Sequence, residues 1–536
     1  MPSQIQRMMP QVKNIVFLML ENRSLDNVLG WLYQNSNPKH VLPANSSKTY
    51  DGLQTGSYSN PYSYWDGGAP QAVTQLPPGH GQQSDQMPYY DPYEQLVVSS
   101  IDSWNGVMNQ LFGNEYMIGG LPAPPTPPTM QGFLQDYYAY KMLANYEGLD
   151  ILWTYAPRNL PKINGLARQY AVSDSWFCSV PSNTNPNRAY SICGTSLGIE
   201  SDEFNAFQQF PANTVFNVLA SAGKSLGLYS REPNWISGQC YTEYTFPHIS
   251  NITPSSGAPD VAVPKQTIEI ADIATFFERA AAGTLPDFTY LEPSWGYSSP
   301  DGSLVQGTDY HPPTHLTPGE LFLFQVYLNV YYGPQWQDTL LIVTFDEHGG
   351  TYDHVAPSWG AKNPDDRNGT SGFAFNLFGV RVPTILISPF VYPSTVFRPP
   401  QGSAYPFDHT SFIKTILLWA GVDPASAKLG NRMPLAPTFD YVLQSERVNF
   451  AETMHAAPEA ATVQDAPLGT PGQPLNALFE GIPFLVTKEI LKSNNGFTQI
   501  KAAVERYRAD PGKFMRDMRE KYRKLESDAA RRSSPP

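Results

Sequence analysis

The chain has 536 residues, of which 41% are hydrophobic and 13% aromatic, and a formal net charge of −13. That length is enough for one large domain with an appendage or for two domains, and the acidic balance argues against nucleic acid as a partner, since phosphate binding needs a basic footprint. No uninterrupted apolar run reaches transmembrane length. Three cysteines, Cys178, Cys193 and Cys240, without a CxxC spacing, argue against a disulfide framework and a thiolate zinc site.

The first element is NIVFLML, Asn14–Leu20, which reads as a buried strand. The basic-then-apolar start resembles a signal peptide, but Ile15–Leu20 is too short for its apolar core and no small-residue cleavage site follows. The expectation is a protein made in the cytoplasm without a cleavable signal, with export by a signal-independent secretion system left open. Pro/Gly/Ser/Tyr-rich stretches at Asn35–Tyr93 and Gly119–Met130 predict long loops that cover or build a site. A helix is expected at Asn164–Val172, then a polar, turn-rich segment, DSWFCSVPSNTNPNRAYSICGTS, from Asp174 to Ser196. Strands follow at Ser225–Ser230, Asp287–Pro293, Thr339–Phe345 and Val382–Ser388, and helices at Thr267–Gly283, Glu320–Gly333 and His409–Gly421. Strands alternating with helices predict an α/β fold with a mostly parallel central sheet flanked by helices.

After about Gln444 the composition changes. Ala456–Pro474 reads as a linker rich in Pro, Ala and Gly, and Phe514, Met518, Tyr522 and Leu525 recur at helical spacing beyond it. Residues 1–444 are therefore expected to form the main domain, and 445–536 a linker with a small, mainly helical region. From Lys488 onward thirteen Lys/Arg stand against seven Asp/Glu, a balance of +6 in an otherwise acidic chain. This region is a candidate for docking on its own body, for homo-oligomer formation, or for contact with a membrane surface or a secretion carrier.

Two predicted strands end in charge. Asn14–Leu20 runs into Glu21 and Asn22, and Thr339–Phe345 runs into Asp346, Glu347 and His348 before Gly349-Gly350. In open α/β sheets ligands bind where strand carboxyl ends converge. Three carboxylates gathered there would raise one another's pKa values unless a cation sits among them, and an oxygen-rich donor set suits a divalent ion. In the Asp174–Ser196 segment, Thr184 has Arg188 nearby. A threonine hydroxyl is a weak nucleophile until a metal or base lowers its pKa.

With ENRSLD (Glu21–Asp26), TNPNR (Thr184–Arg188), FDEHGGTYDHV (Phe345–Val355) and FDHTS (Phe407–Ser411), in that order, the sequence resembles the bacterial phosphoesterase family of phospholipases C and related acid phosphatases. The resemblance implies an alkaline-phosphatase-like fold. It implies that Thr184 is the nucleophile and that Glu21, Asn22, Thr184, Asp346 and Glu347 hold a divalent metal ion, with Ca, Mg, Mn, Fe and Zn all open. Phosphate-side histidines map to His311, where Tyr310 separates it from Asp309, and to His80, where Gly79 follows a proline pair. Asp353 and His354 match as Tyr-Asp-His-Val, to tune a base or complete a second cation site. Arg188 and Asn187 either orient phosphate or brace the loop, and His409 either serves the site or simply opens a helix.

The reaction this implies is attack by Thr184 on phosphorus, with His311 or His354 protonating the departing oxygen, and hydrolysis of a phosphothreonine intermediate. Threonine at position 184 sides with the phospholipase C branch, so the expected substrate is a phosphatidylcholine-like phospholipid, and Trp176, Tyr190 and Tyr310 are candidates to hold a cationic head group. An acid phosphatase acting on monoesters, or a delivered phospholipase effector, are the alternatives.

Overall fold

The spine of the molecule is a pair of adjacent strands, β1 (Asn14–Leu20) and β7 (Thr339–Phe345), buried at every position. Their near-continuous apolar runs, rather than alternating ones, fit strands covered on both faces. The computed structural model describes residues 7–61, 69–76, 104–113, 122–137, 149–202, 209–231, 239–249, 268–298, 304–305, 307–312 and 314–450. His80 and the expected helical region beyond residue 450 lie outside them.

The main-sheet strands between β1 and β7 are β2 (His40–Leu42), β3 (Ala171–Ser173), β4 (Leu226–Ser230), β5 (Ile268–Asp272) and β6 (Phe288–Glu292), and β8 (Thr384–Ile387) and β9 (Thr395–Phe397) follow. Together they form one sheet in the order β2-β9-β3-β8-β7-β1-β6-β4-β5. Every pairing is parallel except those of β8, which runs against both β7 and β3. The expected mostly parallel α/β architecture is what forms.

The helices are α1 (Leu25–Leu29), α2 (Trp104–Phe112), α3 (Pro161–Gln169), α4 (Thr184–Ile192), α5 (Val215–Ser221), α6 (Tyr241–Thr245), α7 (Ile273–Ala282), α8 (Thr317–Tyr332) and α9 (His409–Ala420). α8 packs on α3 and α7, and α9 packs on α4 and α5. Phe17 of β1 stacks on Phe412 of α9, with ring centroids 3.9 Å apart.

Two expected helices are shorter than their sequence patterns. Asn164–Val172 was expected to be helical, but α3 ends at Gln169 and Ala171–Ser173 joins the sheet, where Val172 is fully buried between β8 and β9. Thr267–Gly283 divides at Asp272, whose carboxylate accepts the Ala274 N–H at 2.7 Å and caps α7. The residues before it form the edge strand β5, whose apolar Ile268 and Ile270 alternate with Glu269.

Candidate active site

Four parallel strands deliver their carboxyl ends to one edge of the sheet. β1 leads directly into Glu21 and Asn22, β7 into Asp346 and Glu347, β6 toward Asp309 and His311, and β3 into the segment that reaches Thr184. Between Trp176 and Ser196, Thr184 is the one residue that is only half-buried rather than buried. It is the first residue of α4, where the helix dipole favours negative charge. Its Oγ1 donates toward Glu21 Oε1 at 3.1 Å and Asn22 Oδ1 at 3.3 Å.

Asn22 joins the parts. It is fully buried with φ +59°, a left-handed conformation that asparagine tolerates better than most residues. Its main-chain N–H donates to Asp346 Oδ1 at 3.0 Å, and its Nδ2 meets His311 Nε2 at 3.1 Å. The turn after β7 closes against it: Gly349 has φ +62°, and a Cβ there would collide with the Asn22 carbonyl.

Tyr310, which separates Asp309 from His311 in the sequence, does not keep them apart in space. It too is left-handed, at φ +75°, and is held by its own hydroxyl to Glu320 Oε1 (2.7 Å) and by Arg23 Nε to its carbonyl (2.8 Å). The reversal lets Asp309 Oδ1 accept the His311 N–H at 3.1 Å, while the Asp309 carbonyl accepts the Glu21 N–H at 2.8 Å. The His311 Nδ1 bonds the Pro312 carbonyl, which assigns the proton to Nδ1 and leaves Nε2 as the acceptor facing Asn22.

The electrostatics of this edge are unbalanced. Burial, and after it the Asp346 charge, push the Glu21 carboxyl well above its usual range, with Arg188 opposing. Glu21, Asp309, Asp346 and Glu347 face two guanidiniums, Arg188 and Arg23. Burial holds His348 down at about 3 and also lowers His409, so neither adds a charge near neutral pH. Arg188 is committed: its Nε pairs with Asp346 Oδ2 at 3.0 Å, both side chains fully buried, and Nη2 reaches the Leu20 carbonyl. Glu347 accepts the Gly349 N–H at 2.6 Å beside His348. Asn187 bonds Val180, Ser182 and Asn183 main-chain atoms, so it braces the loop before Thr184.

Asp353 and His354 belong to a second cluster. His354 Nδ1 meets Asp26 Oδ2 at 2.6 Å and Nε2 meets Asp51 Oδ1 at 3.2 Å; Asp353 accepts instead from Arg381 Nε at 2.9 Å. Asp26, Asp353 and His354 bring ligand atoms within 4.8 Å of one another, a possible Asp/Asp/His metal group. Arg381, however, already donates to both carboxylates, with Nη2 3.1 Å from Asp26 Oδ1. Among the described residues no second such triad forms, so Glu21, Asp346 and Glu347 do not converge to that spacing. The oxygens that do converge are those of Glu21, Asn22 and Thr184. The aromatic candidates are core residues: Trp176 stacks on Phe407, Tyr190 lies under Arg432, and all three are at most 1% exposed.

His354 yields a pH prediction. Burial alone would lower its pKa, but the hydrogen bonds to Asp26 and Asp51 prevail and raise it to about 9. The stabilisation is therefore complete below the ordinary value of about 6.5 and is lost as pH rises through about 9. Asp353, raised to about 6 chiefly by burial, acts in a lower window. Between pH 6.5 and 9.5 the wild type should lose about 2 kcal/mol more stability than His354→Gln. Urea unfolding of both proteins at the two pH values measures this, and parallel losses would contradict it.

A model of the phosphoesterase family matches residues 12–422. The chain belongs to the phosphoesterase family. That family places it among the phosphoric ester hydrolases. The match begins two residues before β1 and ends just past α9, so it takes in every element of the site. This phosphoesterase is 31% identical over 414 residues to non-specific phospholipase C1 of Arabidopsis thaliana, an alignment spanning 76% of this chain and 66% of that relative. It is 27% identical over 439 residues to phospholipase C A of Mycobacterium tuberculosis, spanning 77% of this chain and 73% of that one. A solved protein of the alkaline phosphatase superfamily from Vibrio parahaemolyticus shares 15% identity over 51% of this chain and 63% of its own, with a TM-score of 0.29, too distant a likeness to align the two sites.

Residues that the sequence did not single out supply much of the framework. Arg23 lies within a quoted motif, but its role requires the left-handed Tyr310. Arg381 and Asp51 carried no signal: one precedes a buried strand and the other sits in a long loop.

Proposed function

We propose that this phosphoesterase is a phospholipase C that hydrolyses phosphatidylcholine-like phospholipids to diacylglycerol and a phosphorylated head group, with Thr184 as the nucleophile. The observation that carries the reading is the single accessible hydroxyl in a buried run, at a helix start, hydrogen-bonded to a buried carboxylate and amide. The names of the phospholipase C relatives support the choice of a lipid diester.

Oxygen donors and an excess of buried carboxylate over guanidinium fit a divalent cation, which Glu21, Asn22 and Thr184 would hold, with Asp346 and Glu347 alongside. Such a cation supplies Lewis-acid neutralisation of developing oxyanion charge. The chain's own residues do the rest. Thr184 Oγ1 passes its proton to Glu21 Oε1 and attacks phosphorus, and the bond to the diacylglycerol oxygen breaks. His311 is the proton donor to that oxygen. A proton on its Nε2 cannot face the Asn22 amide donor, so a protonated ring presents that N–H to the leaving group. His354 is not assigned this role, because both ring nitrogens are held by carboxylates. Water then attacks the phosphothreonine, giving a proton to His311, and Thr184 recovers its own from Glu21.

The test is head-group release from phosphatidylcholine vesicles beside turnover of a chromogenic phosphomonoester. Lipid cleavage exceeding monoester turnover, abolished by a chelator and restored by added metal, is expected. Monoester turnover alone would overturn the lipase reading and leave an acid phosphatase.

A further inference from the structure

The segment FDHTS, Phe407–Ser411, takes no part in the chemistry above, yet it touches both halves of the site. Phe407 adds a strand-like contact to the chain leading to Thr184: the Phe177 N–H donates to the Phe407 carbonyl at 2.9 Å, and the Phe407 N–H to the Ser175 carbonyl at 3.2 Å. Asp408 caps α9 through the Thr410 N–H at 3.1 Å, and its Oδ2 accepts Ser179 Oγ at 2.9 Å. Arg432 Nη1 reinforces that junction at 2.6 Å from the Ser179 carbonyl. His409, the next residue, faces the other way in function. It is fully buried and places Nε2 2.6 Å from the Asp346 carbonyl. A carbonyl only accepts, so Nε2 carries the proton. Nδ1 is buried without a hydrogen-bond partner among the described residues, so its one polar bond is the one to Asp346.

We propose that His409 is a positioning residue for the hydrolytic reaction: its Nε2–H fixes the main chain of Asp346 while Asp408 fixes the Thr184 loop, so that one helix start sets the spacing between the two. The inference rests on the proposed roles of Thr184 and Asp346. It differs from a mere helix-opening role in demanding a donor at one position in space. Asp346 needs that support because its carboxylate must meet the Asn22 N–H and the Arg188 guanidinium together. A main-chain shift at Asp346 would move both contacts at once and with them Asn22, and groups that orient a metal ligand typically matter 10–100-fold to affinity or rate.

Glutamine and asparagine separate the two roles. The amide of glutamine reaches the place of Nε2, whereas that of asparagine stops near Nδ1. His409→Gln is expected to keep kcat within about threefold of wild type, and His409→Asn to lose about 30-fold in kcat with KM little changed. Calorimetric titration with Mn²⁺ alone should show affinity kept in the glutamine variant and weakened about tenfold in the asparagine variant. If the asparagine variant does not fold, His409→Met, which fills the space without a donor, takes its place. Equal losses in the donor-bearing and donor-lacking variants, or no loss in either, would overturn the proposal. Thr184→Ala keeps the two readings apart: an active Thr184→Ala protein defeats the assigned nucleophile, while the calorimetric split still reports on His409.

Discussion

Replacing Thr184 with alanine should lower kcat for head-group release by about 10³- to 10⁵-fold, a loss of about 4–7 kcal/mol of transition-state stabilisation. The fold should hardly notice. Thr184 opens α4, alanine is well tolerated there, and the lost hydroxyl is a donor whose two acceptors, Glu21 Oε1 and Asn22 Oδ1, stay where they are. Thr184→Ser keeps the nucleophilic oxygen and should remain within about tenfold of wild type, since only a methyl group goes. Mass spectrometry of acid-quenched wild-type turnover should find phosphate on the peptide containing Thr184. An alanine variant with a tenth or more of the activity would mean that another atom attacks phosphorus.

How far this site could be read before folding depended on the range of the contacts. β1 and β7 declare themselves as seven-residue, largely apolar runs, the length of a buried strand, that stop at a carboxylate, and Glu21 and Asp346 do meet through Asn22. The neighbours that drew attention to Thr184 do structural work beside it: Asn187 and Arg188, three and four residues on, are the groups that brace its loop and hold Asp346. The second cluster was not legible as it stands. Asp353 beside His354 suggested a pair, but adjacent side chains need not meet, and His354 instead finds Asp26 at a separation of 328 residues and Asp51 at 303. Arg381 reaches Asp26 across 355 residues, a distance over which no local pattern carries information. The reversed direction of β8 is of the same kind: its four apolar residues fix that it is a strand, while the chain's path decides which way it runs.

Arg381 is expected to be the most costly single side chain to remove for stability. It is fully buried, and its guanidinium serves Asp353 Oδ1 (2.9 Å), Asp26 Oδ1 (3.1 Å), the Asp51 carbonyl (2.8 Å) and the Asp174 carbonyl (3.0 Å). Arg381→Met preserves much of the volume but strands two buried carboxylates, and breaking a buried ion pair from one side costs about 3–5 kcal/mol. By contrast, Lys13→Met at the Lys13–Asp338 pair, where the side chains are 71% and 30% exposed, should change stability by about 1 kcal/mol or less. The pH dependence identifies the cause. Burial holds Asp353 up at about 6 and Arg381 opposes that rise, so without Arg381 the carboxyl titrates higher still. The penalty should accordingly be smaller at pH 5, where Asp353 takes up a proton, than at pH 7.5. Asp353→Asn added to Arg381→Met should recover part of the loss at pH 7.5 and little at pH 5, which urea unfolding can measure. A pH-independent loss would point to packing around the lost guanidinium rather than to unpaired charge. Activity per folded molecule then locates the cluster in the mechanism: Arg381 and His354 hold α1 and the Asp51 loop together, so the folded fraction of Arg381→Met should cleave lipid within about tenfold of wild type, whereas a loss like that of Thr184→Ala would bring His354 back into the chemistry.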